Sequence, residues 1–286
     1  MTAGADAYKL MAEYYDDAYA AKKDLVDVPF YSALARCVGG PVLEIACGTG
    51  RVLLPVAREG IEIHGVDNSP AMLNVLRKNL QSEPEEVRKR VSVSGGDMRT
   101  FRLGKKYRLV TMPFRPMQHM HTLEDQMDAL KTAALHLDED GVLAFNVFYP
   151  RYDLIMSSMG EEIPEMEWPL PSDPTKIVKR YFRKESVDKI NQSFNGTFIF
   201  RTYQDDRLLK EETEPFKLSY YTYPHLQALF QLSGLESVEE YGSFAKTPLD
   251  NDSMEMIFIL RAHPTKIVAS VDYFRSGGSV HGLKHS

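Results

Sequence analysis

The chain contains few cysteines and no pattern of metal-binding residues. Its 286 residues include only two cysteines, Cys37 and Cys47, which are too few for the disulfide framework of a small secreted domain. No Cys/His cluster has the spacing of zinc ligands. We therefore expect no metal site, and we expect a reducing, cytoplasmic environment.

Long apolar runs are also missing. The N-terminal stretch MTAGADAYKL lacks the basic start and the apolar run that mark a signal peptide. No apolar stretch elsewhere approaches the length of a membrane span. The sequence therefore predicts a protein that is not associated with a membrane.

Positive charge is in deficit. The chain has 34 Lys and Arg against 40 Asp and Glu, a formal net charge of -6. Binding to nucleic-acid backbones depends on clustered Lys and Arg, so we expect no nucleic-acid partner. Hydrophobic residues make up 43% of the chain, which is enough for a sizeable core.

The first half of the chain alternates between strand and helix patterns. Short apolar runs such as PVLEIA, IEIHGVD and VLAFNVF are typical of strands buried on both faces, and amphipathic stretches separate them. This alternation predicts an α/β fold, a Rossmann-like, doubly wound and mostly parallel sheet with right-handed crossovers. We assign residues 1–150 and 224–263 to this core.

The pattern changes after residue 150. Residues 151–175 are rich in proline and predict irregular chain or a lid, whereas residues 176–223 read as successive strands, with turn signals at Asn195-Gly196 and Asp205-Asp206. We expect residues 151–223 to form an antiparallel β insert that covers the substrate site. Residues 264–286 are predicted to be a flexible tail.

The strongest functional signal is the segment from Glu44 to Gly50, EIACGTG. A buried strand runs into a loop of small residues and then into a helix, so a ligand can approach the backbone at Gly48 and Gly50. The free N–H groups of the helix start suit a cofactor with a nucleoside or an anionic group. The dinucleotide fingerprint G-x-G-x-x-G fits poorly, because Ala46 replaces its first glycine and Gly50 comes one residue early for its third.

A second carboxylate lies at the matching distance. Asp67 ends the strand IEIHGVD, about twenty residues after the glycine loop, where a carboxylate can accept hydrogen bonds from both hydroxyls of a ribose. The alternative is an acid that only caps the following helix. Together with the loop, Asp67 predicts a nucleoside site.

The loop resembles motif I of the class I methyltransferases that use S-adenosylmethionine (SAM). The resemblance implies that Glu44 contacts the methionyl ammonium and that Asp67 holds the ribose. It extends to G-D-M-R at residues 96–99, where an acid accepts from the adenine amino group. The cofactor-binding residues predicted on this basis are Tyr15, Glu44, Ala46, Gly48, Gly50, Asp67, Asn68, Met72, Asp97, Met98 and Pro113.

The segment after the fourth predicted strand, TMPFRPMQHM, resembles small-molecule amine methyltransferases, in particular the N,N-dimethyltransferases of nucleotide-linked sugars. The resemblance implies that Phe114 contacts the substrate and that His119 is catalytic, either as a base or as an orienting group. Arg115 is assigned to the substrate as well, and its charge would favour a carboxylate or phosphate. Tyr14 and Tyr15 resemble the N-terminal segment that folds over SAM, with Tyr14 assigned a catalytic role.

These features predict a SAM-dependent methyltransferase that acts on an amine nitrogen of a small molecule. Three alternatives stay open: an O-methyltransferase for a carboxylate or hydroxyl, a nicotinamide-dependent dehydrogenase, and a non-catalytic module that binds SAM. The predicted partner is a small-molecule substrate, and a homodimer is the assembly to be tested.

Overall fold

The computed structural model describes residues 8–22 and 26–263. Within these ranges the chain forms eleven strands: β1 (Val42–Ile45), β2 (Ile63–Asp67), β3 (Val91–Gly95), β4 (Tyr107–Met112), β5 (Leu137–Phe148), β6 (Glu162–Leu170), β7 (Asp173–Asp188), β8 (Ser193–Gln204), β9 (Arg207–Ser219), β10 (Leu235–Tyr241) and β11 (Glu255–Ala262). The predicted tail, residues 264–286, lies outside the described residues.

The same ranges contain eight α-helices: α1 (Lys9–Ala20), α2 (Asp27–Val38), α3 (Leu53–Arg58), α4 (Pro70–Gln81), α5 (Glu85–Arg88), α6 (Leu123–Leu135), α7 (Tyr152–Met156) and α8 (Tyr223–Leu232). A short 3₁₀ helix spans Pro116–His119. None of the helices in the described part of the chain is both long and apolar enough to cross a membrane.

Seven strands form the central sheet, in the order β10-β11-β5-β4-β1-β2-β3. The strands from β1 to β5 pair in parallel, whereas β11 is antiparallel to both β5 and β10. Strand order reverses at β1, so the carboxyl ends of β1 and β4 border the crevice where ligands of such sheets bind. The predicted Rossmann-like fold is confirmed.

Burial explains why these segments are strands. All four residues of β1 are buried, and successive residues belong to apolar clusters on opposite faces of the sheet: Leu43 and Ile45 on one face, Val42 on the other. Helices cover both faces, so a strand in the middle of the sheet is mostly apolar; Glu44 is the one charged residue in β1.

The remaining strands form a four-stranded antiparallel sheet in the order β6-β7-β8-β9. The prediction of irregular chain over residues 151–175 is wrong, because this stretch contains α7, β6 and the start of β7. Strand β6 tolerates Pro164 and Pro169 because it is an edge strand, where a missing N–H leaves no ladder partner unpaired.

The two turn signals have different outcomes. Asp205-Asp206 connects β8 to β9, and both residues are left-handed, with φ of 46° and 62°, as a tight hairpin turn requires. Asn195-Gly196 lies inside β8 instead. A Cβ on Gly196 would stand 2.6 Å from the carbonyl oxygen of Arg183, so glycine there allows a close approach between strands rather than a turn.

Helix α1 packs between the two sheets. The carboxylate of Asp16 accepts hydrogen bonds from the Thr49 hydroxyl at 2.6 Å and from the Asn79 amide at 2.7 Å. These bonds attach the helix to the glycine loop and to α4. On the opposite side α1 shares an apolar cluster with Trp168, Val178 and Phe200 of the antiparallel sheet.

Gly50 and Gly60 have similar φ angles but different surroundings, so their substitution by alanine distinguishes overpacking from backbone strain. Gly50 has φ +88°, and a Cβ there would lie 2.3 Å from Leu76 Cδ1, whereas Gly60 has φ +86° with nothing within 4 Å. We expect Gly60→Ala to lower the free energy of unfolding by about 1–2 kcal/mol through backbone strain, and Gly50→Ala to lower it by about 1–3 kcal/mol more through overpacking. Urea unfolding of both variants measures the difference. Equal losses would contradict the assigned contact between the glycine loop and α4.

Candidate active site

The loop after β1 contains three left-handed residues. Their φ angles are 58° at Ala46, 53° at Gly48 and 88° at Gly50. A Cβ on Gly48 would meet nothing within 4 Å, so the backbone at this position borders open space. Gly48 therefore provides a surface on which a ligand can lie, whereas Gly50 is required by packing.

Glu44 on β1 is a buried carboxylate that lacks a full set of partners. Its side chain is 1% exposed, and within the described residues its Oε2 atom has no hydrogen-bond partner. Burial raises the pKa of Glu44 to about 8, and the nearby Arg51 guanidinium only partly opposes this shift. Because an unpaired buried acceptor is unfavourable, a ligand ammonium would complete the site.

Asp67 ends β2 beside the loop. Its Oδ2 atom accepts a hydrogen bond from the Gly48 N–H and its Oδ1 atom from the Ser69 N–H, both at 2.8 Å. Burial raises the pKa of this carboxyl group. Each carboxylate oxygen keeps a further lone pair, so Asp67 can still accept from ligand hydroxyls. Its neighbour Asn68 is exposed, and Met72 is buried in the cluster with α1.

Asp97, predicted to bind the adenine, is paired within its own motif. The Arg99 Nε donates to both carboxylate oxygens of Asp97, at 2.9 and 3.1 Å. The same guanidinium donates to Asp125 at 2.6 Å. The Arg99 side chain therefore holds the pKa of Asp97 below its usual value. Met98 is buried in the core. The adenine contact of Asp97 stays a prediction.

A strained turn follows β4. Pro113 is buried, and the next two residues, Phe114 and Arg115, are both left-handed, with φ of 65° and 70°. Such angles are unfavourable for residues with a Cβ. The Phe114 N–H donates to Asn146 Oδ1 at 3.0 Å, and the buried Tyr31 hydroxyl donates to the same atom at 3.0 Å. This buried amide holds the turn in place.

Both arginines near this turn are paired with carboxylates. The Arg115 guanidinium donates to Glu255 from Nη2 and, at 3.1 Å, from Nε. Arg51 lies 4.7 Å from the centre of the Phe114 ring and donates to both oxygens of Asp27 at 2.8 and 2.6 Å. Neither guanidinium therefore contributes an uncompensated charge.

His119, at the end of the 3₁₀ helix, contacts a residue that the sequence did not single out as functional. The Tyr8 hydroxyl lies 2.7 Å from His119 Nδ1, and the two rings meet edge to face at 5.3 Å between centres. Burial, reinforced by His121, lowers the pKa of His119 to about 4. His119 is therefore neutral at physiological pH.

The two adjacent tyrosines of α1 point in different directions. The ring of Tyr15 lies 6.4 Å from that of Phe114, on the side of the site. Tyr14 instead stacks on Phe200 at 5.2 Å and donates to Glu212 Oε2 at 2.9 Å, on the side of the antiparallel sheet. These contacts pack α1 against that sheet, and the catalytic role of Tyr14 stays a prediction.

Glu214 of β9 is a second residue that sequence reasoning missed. Its carboxylate accepts from the backbone N–H groups of Leu10 at 3.2 Å and Met11 at 2.9 Å, at the start of α1. The cap residue Tyr8 makes no side-chain cap of its own. An anion at a helix N-terminus is favourable, so Glu214 fixes the end of α1 that carries Tyr8.

The site shows no metal centre. Over residues 8–22 and 26–263, no group of three His, Cys, Asp or Glu side chains could hold a metal ion. The groups at this edge of the sheet are a glycine loop, two carboxylates and a set of aromatic rings. Glu44 and the open face of Gly48 fit a cofactor that carries an ammonium and a nucleoside.

Known proteins share this arrangement. The family model described as a methyltransferase domain matches residues 42–141, which include β1 to β4 and the loop at Gly48.

Residues 42–141 form a methyltransferase domain.

Relatives of this methyltransferase domain include a dTDP-3-amino-3,4,6-trideoxy-alpha-D-glucopyranose N,N-dimethyltransferase of Streptomyces venezuelae. It is 33% identical over 102 residues, which span 36% of this chain and 40% of the relative. The cypemycin N-terminal methyltransferase of a Streptomyces species is 23% identical, over 78% of this chain and 83% of its own.

Among solved structures, the CcbJ methyltransferase of Streptomyces caelestis has the same fold. It superposes with a TM-score of 0.74 at 22% identity and covers 91% of this chain and 97% of its own. This coverage extends beyond the methyltransferase domain to most of the chain.

We expect the raised pKa of Glu44 to make SAM binding dependent on pH. At pH 7 a carboxyl group with a pKa of about 8 is mostly protonated, and pairing with the SAM ammonium favours its ionised form. We expect the affinity for SAM to rise about 10-fold from pH 6.5 to 8, with close to one proton released at pH 7. Calorimetry in two buffers of different ionisation enthalpy measures both quantities.

Glu44→Gln is the matched variant, because it keeps the shape of the side chain and removes the titration. It should bind SAM more weakly and without proton release. An affinity of the unaltered protein that stays constant over this pH range would contradict the account of Glu44.

Proposed function

We propose that the chain transfers a methyl group from SAM to an amine nitrogen of a small molecule. The observation that carries this proposal is the pairing of both arginines near the Phe114 turn with carboxylates. A free Arg115 was the sequence feature that favoured a carboxylate or phosphate acceptor. With Glu255 bonded to it, that argument no longer applies, and an amine acceptor is favoured.

The names of the relatives support the same class of acceptor. One relative is named for the N,N-dimethylation of an amino sugar, and another is named as an N-terminal methyltransferase of cypemycin. Both groups are amines. The identity of the acceptor molecule stays open within this class.

The residues of this chain would contribute positioning and exclusion of water. Glu44, Gly48 and Asp67 would hold SAM, whose sulfonium supplies an already activated methyl group. Phe114, Tyr15 and His119 would border the acceptor nitrogen, with α1 covering them. Holding two reactants in line can lower a barrier by about 7–11 kcal/mol, so alignment is the main contribution we assign to the protein.

Between the two roles left open for His119, orientation is favoured. Its pKa of about 4 lies roughly six units below the value of about 10.4 typical of an alkylammonium group. Proton transfer from such an ammonium to His119 is therefore strongly unfavourable. We infer that the acceptor arrives as neutral amine and that the imidazole, held by Tyr8, orients it.

Methyl transfer from labelled SAM tests the proposal directly. The purified chain should label compounds with primary or secondary amines, including amino sugars, and should not label matched carboxylates, alcohols or phosphates. Labelling of carboxylates or hydroxyls alone would contradict N-methylation and support the O-methyltransferase alternative.

The role of His119 gives a separate prediction. We expect His119→Asn to lower kcat/KM about 10-fold, the effect of losing one oriented hydrogen bond, and to leave the affinity for S-adenosylhomocysteine (SAH) unchanged. In both proteins kcat/KM should rise with pH up to the pKa of the amine. Steady-state kinetics from pH 6 to 10 measure this dependence.

His121→Asn is the control, because His121 lies in the same segment and bonds the Ser219 hydroxyl at 3.0 Å. It should change kcat/KM less than about 2-fold. A loss of 10²–10⁴-fold in His119→Asn, accompanied by loss of an ionisation from the pH profile, would instead identify a general base.

A further inference from the structure

The ion pair between Arg115 and Glu255 connects the turn after β4 to the first residue of β11. Nε of Arg115 lies 3.1 and 3.4 Å from the two carboxylate oxygens, and Nη2 bonds the first of them. Asn146 Nδ2 donates to the second oxygen at 2.9 Å. The Glu255 side chain is 11% exposed, whereas that of Arg115 is 40% exposed. The carboxylate is fixed from two sides, while the cation borders open space.

Arg115 lies on the side of the site where we expect the acceptor to bind. Its guanidinium carbon lies 5.7 Å from the centre of the Phe148 ring, at the carboxyl end of β5. The Phe148 ring in turn lies 6.4 Å from that of Phe194 on β8. Arg115 therefore stands where the strand ends face the antiparallel sheet, adjacent in sequence to Phe114.

An uncompensated guanidinium in this position would repel other cations that bind in the site. SAM has a positive sulfonium, and a neutral amine nitrogen gains positive charge as the methyl group is transferred to it. Two unit charges about 10 Å apart, at an effective dielectric constant of 20 to 40, alter a binding constant by roughly 4- to 16-fold. Glu255 removes this penalty.

We propose that Glu255 is a specificity-determining residue that cancels the charge of Arg115, so that the site accepts cations beside the strand ends. The same carboxylate holds the left-handed turn through Arg115 and Asn146. The proposal rests on the proposed function for its amine acceptor, but its electrostatic part is measured without an acceptor.

SAM and SAH are suitable probes because they differ by one methyl group and one positive charge at the sulfur. The ratio of their affinities therefore reports the electrostatic potential next to the transferred methyl. We expect Glu255→Gln to lower the affinity for SAM relative to that for SAH by about 3- to 10-fold, and Arg115→Gln to raise this relative affinity. The double variant Arg115→Gln/Glu255→Gln should return the ratio to within about 2-fold of the unaltered protein.

Glu59→Gln is the matched control. Glu59 follows α3, pairs with Arg36 at 2.8 Å and precedes β2, so it lies at the opposite edge of the sheet. Its loss changes the net charge of the protein by the same amount. The affinity ratio should stay unchanged in this variant, because only a charge near the sulfonium can alter it.

Calorimetry with both probes decides the outcome, and SAH binding reports in each variant whether the cofactor site is folded. An unchanged ratio in Glu255→Gln, or a double variant that behaves like Glu255→Gln, would overturn the proposal and leave Glu255 with a structural role alone. If Glu255→Gln does not fold, Arg115→Gln provides the test. A ratio of SAM to SAH affinity that does not rise in Arg115→Gln would then overturn the proposal. Failure of the amine proposal would give a different result: amines would not be labelled, while the ratio of SAM to SAH affinity would still change in the Arg115 and Glu255 variants as expected.

Discussion

The hydrogen bond from the Gly48 N–H to the Asp67 carboxylate fixes the distance between the loop after β1 and the end of β2. The same carboxylate accepts from Ser69, whose hydroxyl caps α4. One buried anion thus determines where the glycine loop, the strand end and the next helix meet. Because an unpaired buried carboxylate would be costly, these hydrogen bonds stabilise the arrangement of loop, strand end and helix.

The acceptor half depends on contacts between distant parts of the chain. Asp16 attaches α1 to the glycine loop, and Glu214 attaches the start of the same helix to the antiparallel sheet. Tyr8 is thereby held against His119. The sequence places these groups in three separate regions, and α1 brings them together. The core and the antiparallel sheet consequently both position the residues around His119.

The sequence predicted those features that depend on neighbouring residues. Buried strands such as β1 are short, mostly apolar runs, and the Asp205-Asp206 turn has a local signature, so both were predicted correctly. Strand β6 was not predicted, because proline is tolerated there only by virtue of an edge position that the sequence does not reveal. The partners of Arg115 and His119 are 140 and 111 residues away. Arg115 consequently looked like a free cation until the fold placed Glu255 beside it.

The central claim is that this edge of the sheet holds SAM through Glu44, Gly48 and Asp67. A crystal structure of the chain with SAH tests it most directly. The account predicts the ligand amino group within hydrogen-bond distance of Glu44 Oε2, the ribose hydroxyls on Asp67, and the sulfur facing the segment from Phe114 to His119. Binding of SAH elsewhere, or in this loop with its amino group turned away from Glu44, would contradict the account.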